Sequence, residues 1–265
     1  MKTLISLFSA LQKGPFVCFL FIVLLAYNTA MYAQITKIEY MKVKGSTADY
    51  LEIEKVWKSI HQARLDKGDI YAWYLIGKHF TGTASEYEYV TVTVFPSLFE
   101  LNNSYPEELA STVDDALLEK TTNARDLIRT EIYDTPLITE IIHLPKYLNV
   151  SFMKVSQGND NAYLELEKNI WKPIHEKLIK EGIKSTWSVY RQLYPGGYDA
   201  KFNYFTVNGF ADMKKVSFEP PEGWEEVFSI VHQGKDIDKL FENTNQLRVL
   251  IKTELWEMID SVYPK

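Results

Sequence analysis

An internal repeat is the feature that most constrains how this chain folds. Residues 50–61 read YLEIEKVWKSIH, and residues 163–175 read YLELEKNIWKPIH. A second matched pair follows much later, RDLIRTEIY at 125–133 and RVLIKTELW at 248–256. A glycine and a tryptophan follow the first block at the same distance in both copies: Gly68 and Trp73, Gly182 and Trp187. Matched blocks in one order predict a duplicated unit of about half the chain rather than a solenoid.

The first 33 residues are predicted to be a signal peptide. Residues 15–27 read PFVCFLFIVLLAY, an apolar run shorter than the roughly 20 residues of a comfortable membrane span. The residues before Gln34 are small enough for cleavage after Ala33. We therefore expect export to the periplasm or the extracellular space, with no membrane span after cleavage. An uncleaved anchor is the alternative.

The composition excludes several kinds of site. The only cysteine, Cys18, lies within residues 1–33, so a cleaved chain has no disulfide and no thiolate chemistry. The formal net charge is −6, and no basic block with interleaved aromatic residues occurs, so we expect no nucleic-acid partner. The aromatic fraction of 14% suits an aromatic-lined cavity for a small molecule.

The two halves show the same order of predicted elements. In each half a strand, a long helix, two strands and a second helical region follow one another. The predicted strands are 37–44, 70–79, 87–95, 148–155, 185–194 and 202–210. The predicted helices are 49–67, about 106–132 and 161–181, with a last helical region from Pro220-Pro221 nearly to the end. A fourth strand is predicted at 137–143, with no counterpart in the second half.

This order is typical of ferredoxin-like units. We expect an α+β protein in which two tandem ferredoxin-like repeats, 34–144 and 145–265, pack sheet to sheet as an intramolecular dimeric α/β barrel. A small sheet with helices on one face leaves the other face apolar, and two such sheets can cover each other.

The chain resembles the dimeric α/β-barrel superfamily in tandem-fused form. Members include antibiotic-biosynthesis monooxygenase-like, EthD-like, NIPSNAP-like and rhamnose mutarotase-like proteins. Residues 163–182 look like the first helix of rhamnose mutarotases, in which a histidine precedes the tryptophan by four residues. This chain has Glu167 in that position, and Glu54 in the first half. The resemblance therefore implies the fold and not the mutarotase chemistry.

A stripe of four residues on the first helix of each half is the candidate catalytic group. The spacings place each stripe on one side of its helix. Glu54 with His61, and Glu167 with His175, could serve as general acid and base if burial tunes their pKa values. The alternative is structural, with the tryptophans in the core and the polar groups at its margin. The stripes are Tyr50, Glu54, Trp57 and His61, and Tyr163, Glu167, Trp171 and His175.

The candidate ligand-binding residues are aromatic or basic. Each repeated arginine could bind an anionic or sugar ligand, or could form an ion pair with the helix glutamate of its own half. Tyr190 and Arg191 replace Ile76 and Gly77 of the first half, so they could mark the functional half. The full set is Trp57, Trp171, Trp73, Trp187, Tyr190, Arg191, Arg125 and Arg248.

We expect no metal and no cofactor, because the histidines show no ligand spacing. The resemblance adds haem as an alternative, through a helix histidine. The first functional hypothesis is an exported small-molecule-binding protein. The alternatives are a cofactor-independent isomerase, lyase or monooxygenase, and a structural or interaction protein of the cell envelope. The oligomeric state is left open.

Overall fold

The computed structural model of the chain describes residues 34–102, 112–217 and 223–264. The predicted signal peptide with Cys18, the start of the helix predicted at 106, and Pro220-Pro221 lie outside the described residues. No helix in these ranges is long and apolar enough to cross a membrane.

Both halves contain four strands with helices between them in a similar order. The first half contains β1 Ile35–Val43, α1 Thr47–Lys67, β2 Ala72–Lys78, β3 Tyr89–Phe95, a 3₁₀ turn Glu100–Asn102, α2 Asp115–Ala124 and β4 Arg125–Ile138. The second half contains β5 Tyr147–Val155, α3 Asp160–Leu166, a π-helical turn Glu167–Trp171, α4 Lys172–Lys180, β6 Thr186–Tyr194, β7 Tyr204–Phe210, α5 Met213–Val216, α6 Trp224–Val231, α7 Ile237–Leu247 and β8 Arg248–Val262.

The strands form one closed barrel in the order β1-β3-β2-β8-β5-β7-β6-β4, with antiparallel pairing throughout. Within the first half the order is β4-β1-β3-β2, and within the second it is the equivalent β8-β5-β7-β6. An α+β fold with a barrel was expected, and the described strands form one closed barrel. The two sets are joined at their edges by the β2–β8 and β4–β6 pairings, which leave a closed sheet.

The predicted late helices are wrong in their C-terminal parts. Residues 125–133 and 248–256 were expected in helices, and no strand was expected near the end of the chain. Both segments instead begin the long strands β4 and β8, which pair with β1 and β5. The helices that precede them end at Ala124 and Leu247. The β-branched residues of 125–133 and 248–256 favour a strand. The edges of β1 and β5 provide pairing partners, which the propensities of the two segments alone cannot indicate.

The first helix of the first half is capped at both ends. The Ser46 hydroxyl accepts hydrogen bonds from the backbone N–H groups of Ala48 and Asp49, and Gly68 ends α1 at a φ of 82°. In the second half the helix is one residue longer between its Tyr and its Trp. The π-helical turn absorbs that residue, as such turns do. Trp171 therefore stays on the face that Trp57 occupies in α1.

Two layers of apolar contacts hold the fold together. Aromatic side chains fill the barrel interior, among them Tyr40, Phe152, Phe205 and Trp256. The helices cover the outer faces of the strands, where a further set of buried aromatic and aliphatic residues packs beneath α1 in one half and beneath α3 in the other. The outer faces, not the lumen, therefore receive the residues of the repeated stripe.

Candidate functional site

The stripe of α1 faces the outer surface of the sheet. Tyr50, Glu54, Trp57 and His61 are 0%, 2%, 7% and 8% exposed. All four lie on one side of the helix, as their spacing predicts. A glutamate and a histidine are thereby removed from water on an aromatic face, an environment that shifts the pKa values of both.

A cavity of about 350 Å³ lies between α1, α2 and the outer face of the first-half strands, and we call it the outer cavity. It contains five of the predicted site residues: Glu54, Trp57, His61, Trp73 and Arg125. The rest of the lining is Lys37, Glu39, Thr91, Leu118, Thr121, Thr122 and Leu127. The volume is within the range of small-molecule sites.

Glu54 and Arg125, which both line this cavity, form the ion pair that the sequence offered as one alternative. Glu54 Oε1 lies 3.2 Å from Arg125 Nε. The angle does not make a hydrogen bond, and both atoms are buried without another partner. Burial raises the pKa of Glu54 to about 7, although Arg125 and the Tyr50 hydroxyl oppose the shift. The carboxyl group is therefore able to gain and lose a proton near neutral pH.

His61 is held as a neutral imidazole. Its ring stacks on Trp73, with centroids 5.1 Å apart and planes at 17°. Burial, with the nearby charges of Arg64 and Lys37, lowers the pKa of His61 to about 3. Its Nδ1 atom is buried without a hydrogen-bond partner. A neutral ring can donate one hydrogen bond and accept another.

Seven residues of the outer cavity lining escaped the sequence reasoning, among them Thr121 and Lys37. Thr121 Oγ1 accepts a hydrogen bond of 3.0 Å from Trp57 Nε1, and Thr244 Oγ1 accepts the equivalent bond of 3.2 Å from Trp171 Nε1. The signal was present, because each threonine precedes the repeated arginine by four residues. Lys37 carries no such signal. It lies on β1, where its ammonium group is 3.1 Å from Glu39.

The stripe of the second half is arranged similarly but has different partners. Arg248 Nε lies 3.8 Å from Glu167 Oε1, and burial raises the pKa of Glu167 to about 7. His175 stacks on Trp187 at 4.7 Å, and its Nδ1 lies 2.8 Å from Lys184 Nζ. Burial and the Lys184 charge lower the pKa of His175.

Lys184 also escaped the sequence reasoning. It lies where the first half has Ile70, counted from the glycine that ends each helix. Its ammonium group donates to Asn208 Oδ1 at 2.7 Å, and burial lowers the pKa of Lys184 to about 7. The second histidine is therefore engaged with a side chain that the first half lacks.

Aromatic packing also separates the halves. Phe228 of α6 and Phe241 of α7 meet the Trp171 ring edge to face, at 5.4 and 5.6 Å. No residue of the second-half stripe is part of the outer cavity lining. The candidate residues of the first half therefore line the outer cavity, whereas Trp171 of the second half packs against two phenylalanines.

Tyr190 and Arg191 lie apart from both stripes. Tyr190 points into the barrel, where its ring stacks on Phe205 at 4.5 Å. Arg191 points the other way, and its Nε donates to Asp134 Oδ1 at 3.1 Å. Neighbours on one strand face opposite sides, so these two residues do not form one site.

Among the described residues, no group of three or more His, Cys, Asp or Glu side chains is placed to hold a metal ion.

Solved structures share this architecture. No family model and no curated protein matches the sequence. A monooxygenase-like protein from Lactobacillus acidophilus superimposes with a TM-score of 0.56 over 87% of this chain and 96% of its own, at 11% identity. An anthrone oxidase-like protein gives 0.51 over 87% and 93%, at 9% identity. A heme-binding protein from Thermus thermophilus gives 0.50 over 86% and 92%, at 10% identity. The chain therefore has the mixed α+β, eight-stranded fold of the dimeric α/β-barrel proteins.

Proposed function

We propose that this chain is a small-molecule-binding protein whose site is the outer cavity of the first half. The observation that carries the proposal is the coincidence of open volume with a buried ion pair and an unsatisfied ring nitrogen. The cavity of about 350 Å³ is lined by the Glu54–Arg125 pair, whose facing atoms are 3.2 Å apart, and by His61, whose Nδ1 is buried without a hydrogen-bond partner. Buried polar groups are ordinarily satisfied, so a bound molecule with its own donor and acceptor is the expected partner.

The aromatic wall indicates the shape of the ligand. Trp57, His61 and Trp73 stand side by side, and His61 lies nearly parallel to the Trp73 ring. A planar ring can stack on such a wall while its polar substituents reach Glu54 and Arg125. Planar hydroxylated aromatic compounds and aromatic acids are therefore the first ligands to test.

The same proposal includes the tandem architecture. The equivalent strand orders β4-β1-β3-β2 and β8-β5-β7-β6 support two fused ferredoxin-like repeats, with residues 139–146 as the connection. We place the repeats at 34–144 and 145–265, after a signal peptide at 1–33.

Mass spectrometry of the protein secreted by an expressing bacterium tests the export proposal, since cleavage after Ala33 leaves Gln34 at the N-terminus.

A matched pair of variants tests the binding site. Calorimetric titration with a panel of phenols, aromatic acids, sugars and haem is carried out on wild type, Glu54→Gln and Glu167→Gln. Haem is included because one fold neighbour binds it and a neutral histidine is the form that ligates iron. We expect a ligand whose affinity falls in Glu54→Gln and is kept in Glu167→Gln. Equal losses in both variants, or no binding from any class, would contradict the proposal.

A second candidate function is cofactor-independent proton transfer by Glu54. A general base works best when its pKa is close to the operating pH, and the pKa of Glu54 is about 7. His61, being neutral, would orient the substrate rather than supply the proton. Deuterium uptake at an acidic C–H of a bound carbonyl compound, followed by NMR in D₂O, tests this role. Uptake unchanged by Glu54→Gln would exclude it.

A further inference from the structure

A second cavity, which we call the lumen cavity, lies inside the barrel. Its volume is about 110 Å³, and it shares no lining residue with the outer cavity. The two are separated by the sheet itself, because successive residues of a strand face opposite sides. Thus Lys37 and Glu39 line the outer cavity, while Thr36 and Ile38 line the lumen cavity.

Its walls come from both halves of the chain and are uncharged. They consist of aliphatic, aromatic and hydroxyl side chains: Thr36, Ile38, Tyr74, Ile76, Val92, Val94, Ile138, Ile141, Leu144, Pro145, Leu148, Thr186, Ser188, Tyr190, Phe205, Val207, Trp256 and Met258. Burial raises the pKa of Tyr74 to about 12 and also raises that of Tyr190, so both phenols are neutral at physiological pH. A charged ligand would lose its hydration here without gaining a counter-ion.

The two ends of the lumen differ. At the end formed by the connection between the halves, Ile138 and Ile141 line the cavity and are also 39% and 49% exposed, so an apolar path reaches solvent. At the opposite end, charged groups fill the barrel. Glu131 accepts hydrogen bonds from Tyr133 at 2.6 Å and from Arg129 at 3.0 Å, and Glu254 is paired with Lys252 at 2.8 Å.

We propose that the lumen cavity binds a small uncharged aromatic molecule of a single ring, independently of the outer cavity. Apolar cavities of this order of size, around 150 Å³ in an engineered case, stay dry and bind benzene. The stacked Tyr190 and Phe205 rings and the Trp256 ring offer aromatic contacts on one side, and aliphatic side chains offer the other. The ligand enters between Ile138 and Ile141.

Toluene, with benzoate as the charged counterpart, tests the proposal on the whole chain. We expect toluene to raise the Tm in a saturable manner, and we expect any effect of benzoate, which could bind the outer cavity, to be the same in wild type and in the cavity-filling variants. Val207→Phe and Val92→Phe fill the cavity from opposite halves, and each should weaken toluene binding at least about tenfold. Val56→Phe is the matched control, because Val56 is exposed on α1 and lines neither cavity.

Two filling variants keep the test decisive if one of them does not fold. Xenon-pressurised crystals then locate the site directly, and density in the barrel is expected in wild type but absent in either filled variant. A wild type that toluene does not stabilise would overturn the proposal. So would toluene binding that survives both substitutions, or xenon found in the outer cavity and not in the lumen.

Discussion

The protonation of Glu54 gives a prediction whose size can be worked out from the structure. Its pKa rises from 4.5 to about 7 on folding, chiefly because the side chain is only 2% exposed. The folded chain therefore holds this proton more tightly than the unfolded chain. Its contribution to stability is complete at low pH, declines as the pH rises from 4.5 toward 7, and changes little above 7.

The magnitude follows from the size of the shift. A shift of about 2.5 units corresponds to roughly 3.4 kcal/mol in total, of which about 2 kcal/mol falls between about pH 5.5 and about pH 8.5. Glutamine resembles the protonated acid and does not ionise. We therefore expect Glu54→Gln to gain about 2 kcal/mol relative to wild type over that range. Glu167 is unchanged in both proteins, so its own titration cancels.

Urea unfolding at the two pH values, for wild type and Glu54→Gln, measures this difference. Glu52→Gln is the matched control, since it makes the same chemical change at an exposed residue nearby on α1. If the free-energy difference between Glu54→Gln and wild type is the same at both pH values, Glu54 remains ionised in the fold. Its proposed role as a base near neutral pH would then fail.

Three further substitutions test other contacts. Thr121→Val keeps the shape of the side chain but removes the hydroxyl that accepts a hydrogen bond from the Trp57 indole, so the free energy of unfolding should fall by about 1–3 kcal/mol. A smaller loss than the error of measurement would mean that water replaces the hydroxyl. Gly209→Ala places a Cβ 2.7 Å from Thr186 and 2.9 Å from Pro145, and should lower the free energy of unfolding by about 1–3 kcal/mol. Gly82→Ala is the control, because its Cβ meets open space. Equal Tm values for the two variants would refute the close packing at Gly209. Burial lowers the pKa of Lys184 from 10.5 to about 7, so the unfolded chain binds more protons than the folded chain between these pH values, and stability rises with pH there. In Lys184→Met the free energy of unfolding should no longer rise over this pH range. An unchanged pH profile would mean that Lys184 stays charged in the fold.

The sequence predicted the geometry of the stripe better than its surroundings. Periodicity alone placed Glu54, Trp57 and His61 on one buried face, and the repeated arginine was correctly offered as the partner of the glutamate. These are local or repeated features, for which spacing carries the information. The cavity beside them depends on what packs over the helix, and that part of the chain differs between the halves. Phe228 and Phe241 lie against Trp171 in the second half, and no pattern in the sequence indicated it.

Strand pairing explains the other differences. Residues 125–133 and 248–256 contain helix-compatible spacing and good helix formers, so a helix was predicted. Their strand conformation is decided by partners far away in sequence, since β4 closes on β1 and β6, and β8 on β5 and β2. Tyr190 was grouped with Arg191 as a neighbour, but the closed barrel assigns the two side chains to opposite sides of the wall. Long-range pairing of this kind is not encoded in local propensity.

The π-helical turn at Glu167–Trp171 allows the matched helices of the two halves to differ in length by one residue and still present the same residue types to the sheet. One extra residue in a regular helix would rotate everything after it by about 100° and turn the later side chains away from the sheet. Here the extra residue is accommodated within a single π-helical turn, and the side chains after it face the sheet as they do in α1. Equivalent residues of the two halves are therefore better identified by their position over the sheet than by their separation in sequence. We expect a variant shortened by one residue within that turn to fold with a plain α-helix and to keep the Tm of wild type, which thermal unfolding would check.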